Sequence, residues 1–331
     1  MSQAQAAYKT WKKYGFDVDF SAVKCETEQD WHDLRAKGIG GSDVAAIMGI
    51  SPWSTPLQVW LQKTGREQPQ DLSDNEFVYW GTVLEEKVAD KFADEHPDMT
   101  IKQVKATLID RLQPYMHANL DRMVIQADDT PAVLEIKTAS ARKTDEWEEG
   151  VPAYYLTQVT AYLAITGWKR AYVACLVGGN HYVEHIVERD EEDVLAVRTA
   201  CEKFWEGFVK ADIMPEITSS DQQAYAELTT PNSGDFITPS DKDTADAAID
   251  AYLSACSVLK AAEHQKKEAA TTLMSIIGSS KGIITDIARV TWIRSTSSKL
   301  DQKRLEAEHP ELVKQYQQSY VRNGGIRVKE F

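Results

Sequence analysis

A chain of 331 residues, 43% hydrophobic and 27% charged, is ordinary globular material with room for one large domain or two moderate ones, which excludes a disordered or fibrous protein. Its 37 basic and 51 acidic residues leave a net charge of −14, which counts against nucleic-acid binding through bulk electrostatics, so any basic surface has to be local. Cys25, Cys175, Cys201 and Cys256 are scattered without CxxC spacing, which suggests neither a zinc site nor an iron–sulfur cluster and suits a reducing cytosol.

The N-terminal stretch, with one helical segment near Tyr8 to Tyr14, has no basic-then-apolar leader, and no run reaches transmembrane length. A soluble cytoplasmic protein without membrane contact is expected. A helix-rich segment follows to about Glu95, broken at Gly38–Gly41 and at Ser51-Pro52. Ser42-Asp43 fit a helix start after the glycines, and Trp80-Gly81-Thr82-Val83-Leu84-Glu85-Glu86 opens a long helical pattern. Trp31, Trp53, Trp60 and Trp80 are expected in the core, although Trp53, beside Pro52 in a loop, also suits a contact outside it.

Residues 101 to 138 alternate apolar and polar positions and are expected as strands. Helices follow over about Arg142–Glu149 and Tyr154–Thr166. Strands Ala171–Val177 and Tyr182–Glu188 are joined at Gly178-Gly179-Asn180, a hairpin signal. Asp190 starts a helix to about Lys210. Residues 1–213 thus form an α/β core, a mixed sheet flanked by helices. Residues 214–240 shift to Ser, Thr, Pro, Asp and Gly and are expected as a linker. An accessory module spans 241–331: an amphipathic helix, Asp241–Ile277, a strand, Ile284–Ile293, a helix, Asp301–Tyr320, and a last strand, Gly325–Phe331. Oligomerisation or partner binding is its expected use.

The chemistry concentrates at Glu135-Ile136-Lys137, which ends the apolar run Ala132-Val133-Leu134. On a strand, Glu135 and Lys137 point one way while Ile136 points into the core. Asp121 lies in the strand-like stretch Met116–Gln126, and a short return at Ala127–Pro131 brings it alongside. Two carboxylates and a lysine then converge, and hard divalent cations take such oxygen ligands. Water activation and phosphate-charge stabilisation are what a metal supplies in such a place. Further along, Gln158 and Tyr162 stand four apart on one helix face.

A Gly-x-x-x-Glu helix, an Asp, an ExK strand and a Gln-x-x-x-Tyr helix, in that order, resemble the YqaJ-like viral recombinase and lambda-exonuclease-type phage alkaline exonucleases, within the PD-(D/E)xK nuclease superfamily. Trp31-His32-Asp33-Leu34-Arg35-Ala36-Lys37-Gly38-Ile39-Gly40-Gly41-Ser42-Asp43 is similar to the opening motif of that family, roughly WHxLRxxGIGGSD, and Ser51-Pro52-Trp53-Ser54-Thr55-Pro56 fits its YqaJ branch. The resemblance covers about residues 29 to 210. Leu120 stands where the usual proline of the PD pair does.

The resemblance implies a restriction-endonuclease-like core and a role for each residue. Asp121, Glu135 and the main-chain carbonyl of Ile136 hold metal, Glu85 approaches it from its helix, and Lys137 positions the hydrolytic water. Arg35, Ser42 and Asn119 bind a terminal 5′-phosphate, and Gln158 and Tyr162 lie on a DNA-facing helix. Mg²⁺ is implied, in a two-metal site, with Mn²⁺ as a substitute. The implied activity is 5′-to-3′ digestion of linear double-stranded DNA to 5′-mononucleotides, leaving a 3′ overhang for strand annealing. Implied partners are double-stranded DNA ends, further copies in a homo-oligomeric ring, and a phage single-strand annealing protein in the bacterial host cytoplasm. An endonuclease or flap-type enzyme on the same core, or a non-catalytic DNA-end-binding scaffold, are the alternatives.

Overall fold

The computed structural model describes residues 20–68, 72, 74–229, 236–293, 295–316, 326 and 328. The expected helix near Tyr8–Tyr14, and most of the expected strand Gly325–Phe331, lie outside them. By packing the chain divides into two compact units, Met1–Leu228 and Thr229–Phe331.

The first unit carries two sheets. In one, β1 (Phe20–Val23) pairs antiparallel with β4 (Thr107–Asp110), which pairs antiparallel with β5 (Met116–Ala118), and β5 runs parallel to the short β2 (Ile39–Gly40). The other is a mixed five-stranded sheet in the order β3 (Thr100–Gln103), β6 (Arg122–Ile125), β7 (Pro131–Ala139), β8 (Arg170–Val177), β9 (His181–Glu188). Its one parallel pair is β7–β8, the pair that needs a helical crossover.

Local chemistry explains the helix boundaries. Thr27 and Asp30 form a reciprocal cap on α1 (Glu28–Ala36). Gly40 caps α2 (Gly41–Ile47), and the Asp43 carboxylate reaches back to accept from its N–H at 2.9 Å. The helix therefore starts one residue before Ser42. Thr55 and Gln58 cap α3 (Pro56–Lys63), with proline in the first turn. Asn75 caps the 20-residue α4 (Glu76–Glu95). The crossover between β7 and β8 holds α5 (Thr144–Glu149) and α6 (Ala153–Thr166), and α7 (Glu191–Phe204), capped by Asp190, ends in a π-turn at Trp205–Val209. Between β8 and β9, Gly178 and Gly179 take φ of 62° and 80°, which the expected hairpin turn requires.

Helix α4 covers one face of the five-stranded sheet: Val88, Ala89 and Phe92 pack on Val124, Leu134, Ile136, Tyr172 and Ala174. The opposite face, with Val133 and Cys175, belongs to the main core shared with Val159, Leu163 and Trp147. Helix α6 packs against both sheets and is buried without interruption from Thr157 to Thr166. That placement is what brings its polar side chains under the site.

Several expectations are corrected. Met116–Gln126 is not one strand: the chain leaves the first sheet after Ala118 and enters the second at Arg122, with Asp121 at the crossing. The segment read as a linker is structured at its start, with a 3₁₀ turn at Ser219–Asp221 and α8 (Gln222–Leu228), and the Thr55 hydroxyl donates to the buried Asp221. Trp60 is buried as expected, but Trp53 and Trp80 are 65% and 51% exposed. In the second unit, α9 (Lys242–Ile277) is followed by a hairpin, β10 (Gly282–Ile284) and β11 (Arg289–Thr291), in place of one strand. The final helix is split into α10 (Gln302–Glu308) and α11 (Pro310–Tyr316), because proline lacks the N–H that a continuous helix needs there.

Candidate active site

Strand β7 alternates as its sequence requires. Leu134 and Ile136 face α4, and Glu135 and Lys137 face α6. Glu135 is 1% exposed and ion-paired to the Lys137 ammonium. The Ile136 N–H donates to Asp121 Oδ2 at 2.8 Å, which brings the second carboxylate to the middle of the ExK triplet. The sequence-predicted trio is thus gathered.

Helix α6 supplies what surrounds it. Gln158 Nε2 donates to Glu135 Oε1 at 2.7 Å and to the Tyr162 hydroxyl at 2.8 Å. Gln158 and Tyr162 are both buried. Gln158 thus supports Glu135 directly, and Tyr162 supports Gln158. The Tyr155 ring lies 4.9 Å from Lys137 Nζ, within cation–π range. Trp53 packs edge-on to Tyr154, with centroids 4.8 Å apart, and at a tilt to Tyr155, with centroids 5.7 Å apart.

The electrostatics follow from burial. Burial and the neighbouring Asp121 carboxylate push Glu135 up to about 8, against the pull of Lys137. Burial alone lowers Lys137, but Glu135 and Asp121 outweigh it and raise it. Glu135 Oε2 is buried with no hydrogen-bond partner among the described residues. A carboxylate oxygen left bare in the interior is costly, and it is the kind of donor a hard divalent cation takes. Asp121 and Glu135, with the Ile136 carbonyl next to Glu135 in sequence, therefore fit such an ion by their chemistry.

Glu85 does not join them. Arg122 Nη1 donates to Glu85 Oε1 and Nη2 to Glu86 Oε2, each at 2.6 Å, and Nη1 also reaches the Asp121 carbonyl. Arg122 stands opposite Leu134 in register and so shares the face turned to α4, away from Glu135. No group of three or more acidic, histidine or cysteine side chains arranged for a metal is present among the described residues. In this structure the partner of Glu85 is a guanidinium.

Arg35 and Ser42 do meet, with Arg35 Nη2 donating to Ser42 Oγ at 2.8 Å. The same nitrogen approaches Asp43 Oδ1 at 3.3 Å. Asn119 accepts from the Thr107 hydroxyl at 2.7 Å and is only partly exposed. His117, four residues before Asp121, is buried, bonded to the Pro114 carbonyl at 3.2 Å, and is pushed down by burial, so it stays neutral and structural. Sequence reasoning missed Arg122, Tyr155, Asp43 and Lys63. Arg122 follows Asp121 directly, so the signal for it was present. Lys63 had none.

The two clusters are joined through backbone. A Cβ built on Gly41 falls 2.4 Å from the Tyr162 ring, so the first turn of α2, which carries Ser42, sits directly on the tyrosine that holds Gln158. Only glycine permits that approach.

Comparison with known proteins gives a consistent placement. The model of the YqaJ-like viral recombinase domain matches residues 30–169, which contain both clusters. The protein YqaJ of Bacillus subtilis (strain 168) is 30% identical over 311 residues, 91% of this chain and 94% of that protein. Among solved structures, the alkaline exonuclease LHK-Exo from Laribacter hongkongensis aligns with TM-score 0.45 at 19% identity, covering 61% of this chain and 100% of that one. A phage related exonuclease from Haemophilus somnus 129PT aligns with TM-score 0.39 at 13% identity, covering 55% and 99%. At these scores neither adds to the fold, which its own sheets define. On the extent of the match to YqaJ, the chain belongs to the family of the YqaJ-like viral recombinase domain.

Proposed function

We propose that this chain is a Mg²⁺-dependent exonuclease that digests one strand of linear double-stranded DNA from its 5′ end, releasing 5′-mononucleotides and leaving a 3′ single-stranded overhang. The observation that carries it is the gathering of Asp121, Glu135 and Lys137 around the middle of β7, with a buried carboxylate oxygen that has no partner among the described residues and a lysine in direct contact. A divalent cation bound by Asp121, Glu135 and the Ile136 carbonyl supplies water activation and charge stabilisation at phosphorus. Lys137, held charged by two carboxylates, orients the attacking water and offsets charge on the phosphate. Gln158 fixes the Glu135 carboxylate by its 2.7 Å bond, and Tyr162 fixes Gln158. Arg35 and the exposed Ser42 hydroxyl receive a terminal phosphate, since a guanidinium fork and a hydroxyl match its oxygens.

The resemblance to phage exonucleases and the family assignment support a role in recombination by strand annealing. A ring of copies with an annealing partner in the bacterial host cytoplasm belongs to the same proposal. Among the described residues no helix is long and apolar enough to cross a membrane. The experiment is digestion of a linear duplex beside a closed circular one, with Mg²⁺ or with a chelator. Loss of the linear form alone, and only with metal, is the expected result. Cutting of the circle points instead to an endonuclease, and metal-independent binding without cutting to a scaffold.

A further inference from the structure

Lys63 ends α3, far in sequence from Arg35 and Asp43, yet its ammonium is buried against them, with its side chain 3% exposed. It makes two bonds: to Asp43 Oδ2 at 2.8 Å and to the Arg35 carbonyl at 3.0 Å. Asp43, itself buried, also accepts from the Gly40 N–H and from the Arg35 guanidinium. Arg35 is therefore held at both ends, its carbonyl by Lys63 and its guanidinium by the acid that Lys63 neutralises. Its side chain stays 31% exposed, beside the exposed Ser42.

Stability does not account for this arrangement. Burying a lysine and an aspartate together costs desolvation that their attraction only roughly repays, and an apolar pair is often as stable. The charge count is more telling. Asp43 cancels one of its two cationic partners and leaves one in excess, on a protein whose net charge is −14. His117 is neutral and adds nothing to the cluster. Without Lys63, Asp43 would cancel Arg35 instead, and the exposed corner of the site would carry no net charge for an anion. Without Asp43, two cations would repel each other and Arg35 would lose its anchor.

We infer that Lys63 is a positioning residue for terminal-phosphate recognition: paired with Asp43, it releases the charge of Arg35 for the phosphate and fixes the backbone from which Arg35 extends. This rests on the reading of Arg35 and Ser42 given under Proposed function.

The test is a ratio. A short duplex carrying either a 5′-phosphate or a 5′-hydroxyl is bound to the full-length protein in Ca²⁺, and the two dissociation constants are compared for wild type, Lys63→Met, Lys63→Arg and Arg35→Ala. Lys63→Met leaves Asp43 with Arg35 and the Gly40 N–H as partners, so no buried charge is stranded; Lys63→Gln replaces it if its melting curve shows no folding. Wild type should prefer the phosphate, and Lys63→Met should reduce the preference tenfold or more, close to Arg35→Ala, with Lys63→Arg restoring part of it. An unchanged ratio in Lys63→Met, even with both affinities lowered, overturns the inference and marks Lys63 as merely structural. A wild-type ratio near one overturns the phosphate reading itself, and this inference with it, while leaving the nuclease centre to be judged by the digestion of linear DNA.

Discussion

Glu135 concentrates the local conflict of the site in one side chain. Its Oε1 is committed to Gln158 and Lys137, its Oε2 has no partner among the described residues, and burial with Asp121 nearby pushes its pKa up to about 8. A cation that replaces that proton relieves both faults at once, so residues that orient Glu135 should be felt in metal affinity. Gln158→Leu is predicted to weaken Mg²⁺ binding about 10–100-fold, the usual effect of losing a hydrogen bond behind a ligand; calorimetry without DNA measures it, and unchanged affinity would show that the carboxylate is held by Lys137 alone. His117 gives the acid-side behaviour. Burial depresses its folded-state value below that of the unfolded chain, near 6.5. The unfolded chain therefore binds more protons below that pH, and stability present above it is lost as the pH falls. The drop in melting temperature between pH 7.5 and 5.5 should shrink in His117→Gln, and an equal drop would assign it to other groups. At this scale the sequence was legible where the period-2 alternation of a strand decides the geometry, as for Glu135 and Lys137. Four-residue spacing put Gln158 and Tyr162 on one helix face, but spacing cannot say which face is covered. Asp43 and Lys63 lie on different helices with no local pattern linking them, and the pairing of Glu85 with Arg122 joins a helix to a strand 37 residues on, which no spacing along either element marks.

Helix α6 and the first turn of α2 meet at one point, Gly41 against the Tyr162 ring. That contact ties the turn bearing Ser42 to the side chain that holds Gln158, so the two clusters share a rigid seam. Gly41→Ala would place a methyl group 2.4 Å from a ring carbon that is itself buried. Overpacking of this kind costs about 1–3 kcal/mol, and the separation of α2 from α6 should disturb phosphate binding and Glu135 together. Thermal melting and DNA affinity read both; a variant that melts and binds like wild type would mean that the seam yields freely. Most elements followed from the sequence because caps and turns mark them locally, as at Thr27, Thr55, Asn75, Asp190 and Gly178-Gly179. The break at Asn119–Asp121 did not. Apolar alternation holds from Met116 to Asp121 and lapses only at Arg122, and the pairing of β5 with β4 and of β6 with β7 is what reveals that the chain changes sheets there.

The whole chain is acidic, and it divides at Leu228 into units each with its own packing. Residues 236–241, just beyond that division, are exposed, as are most side chains of the 36-residue α9. Limited proteolysis is predicted to cut first between Phe236 and Asp241 and to leave the first unit intact, since exposed segments outside regular structure are the preferred sites; early cuts within α6 or β7 would contradict the division. An acidic molecule that acts on DNA has to confine its attraction to the ends of the substrate and to a bound cation, which is why end dependence and metal dependence should appear together. The most direct measurement is release of a label from either end of a linear duplex in Mg²⁺, by wild type and by Lys137→Ala. The account predicts rapid appearance of the 5′ label as a mononucleotide, late appearance of the 3′ label, and no release by Lys137→Ala. Equal early release from both ends, or full activity in the variant, would contradict it.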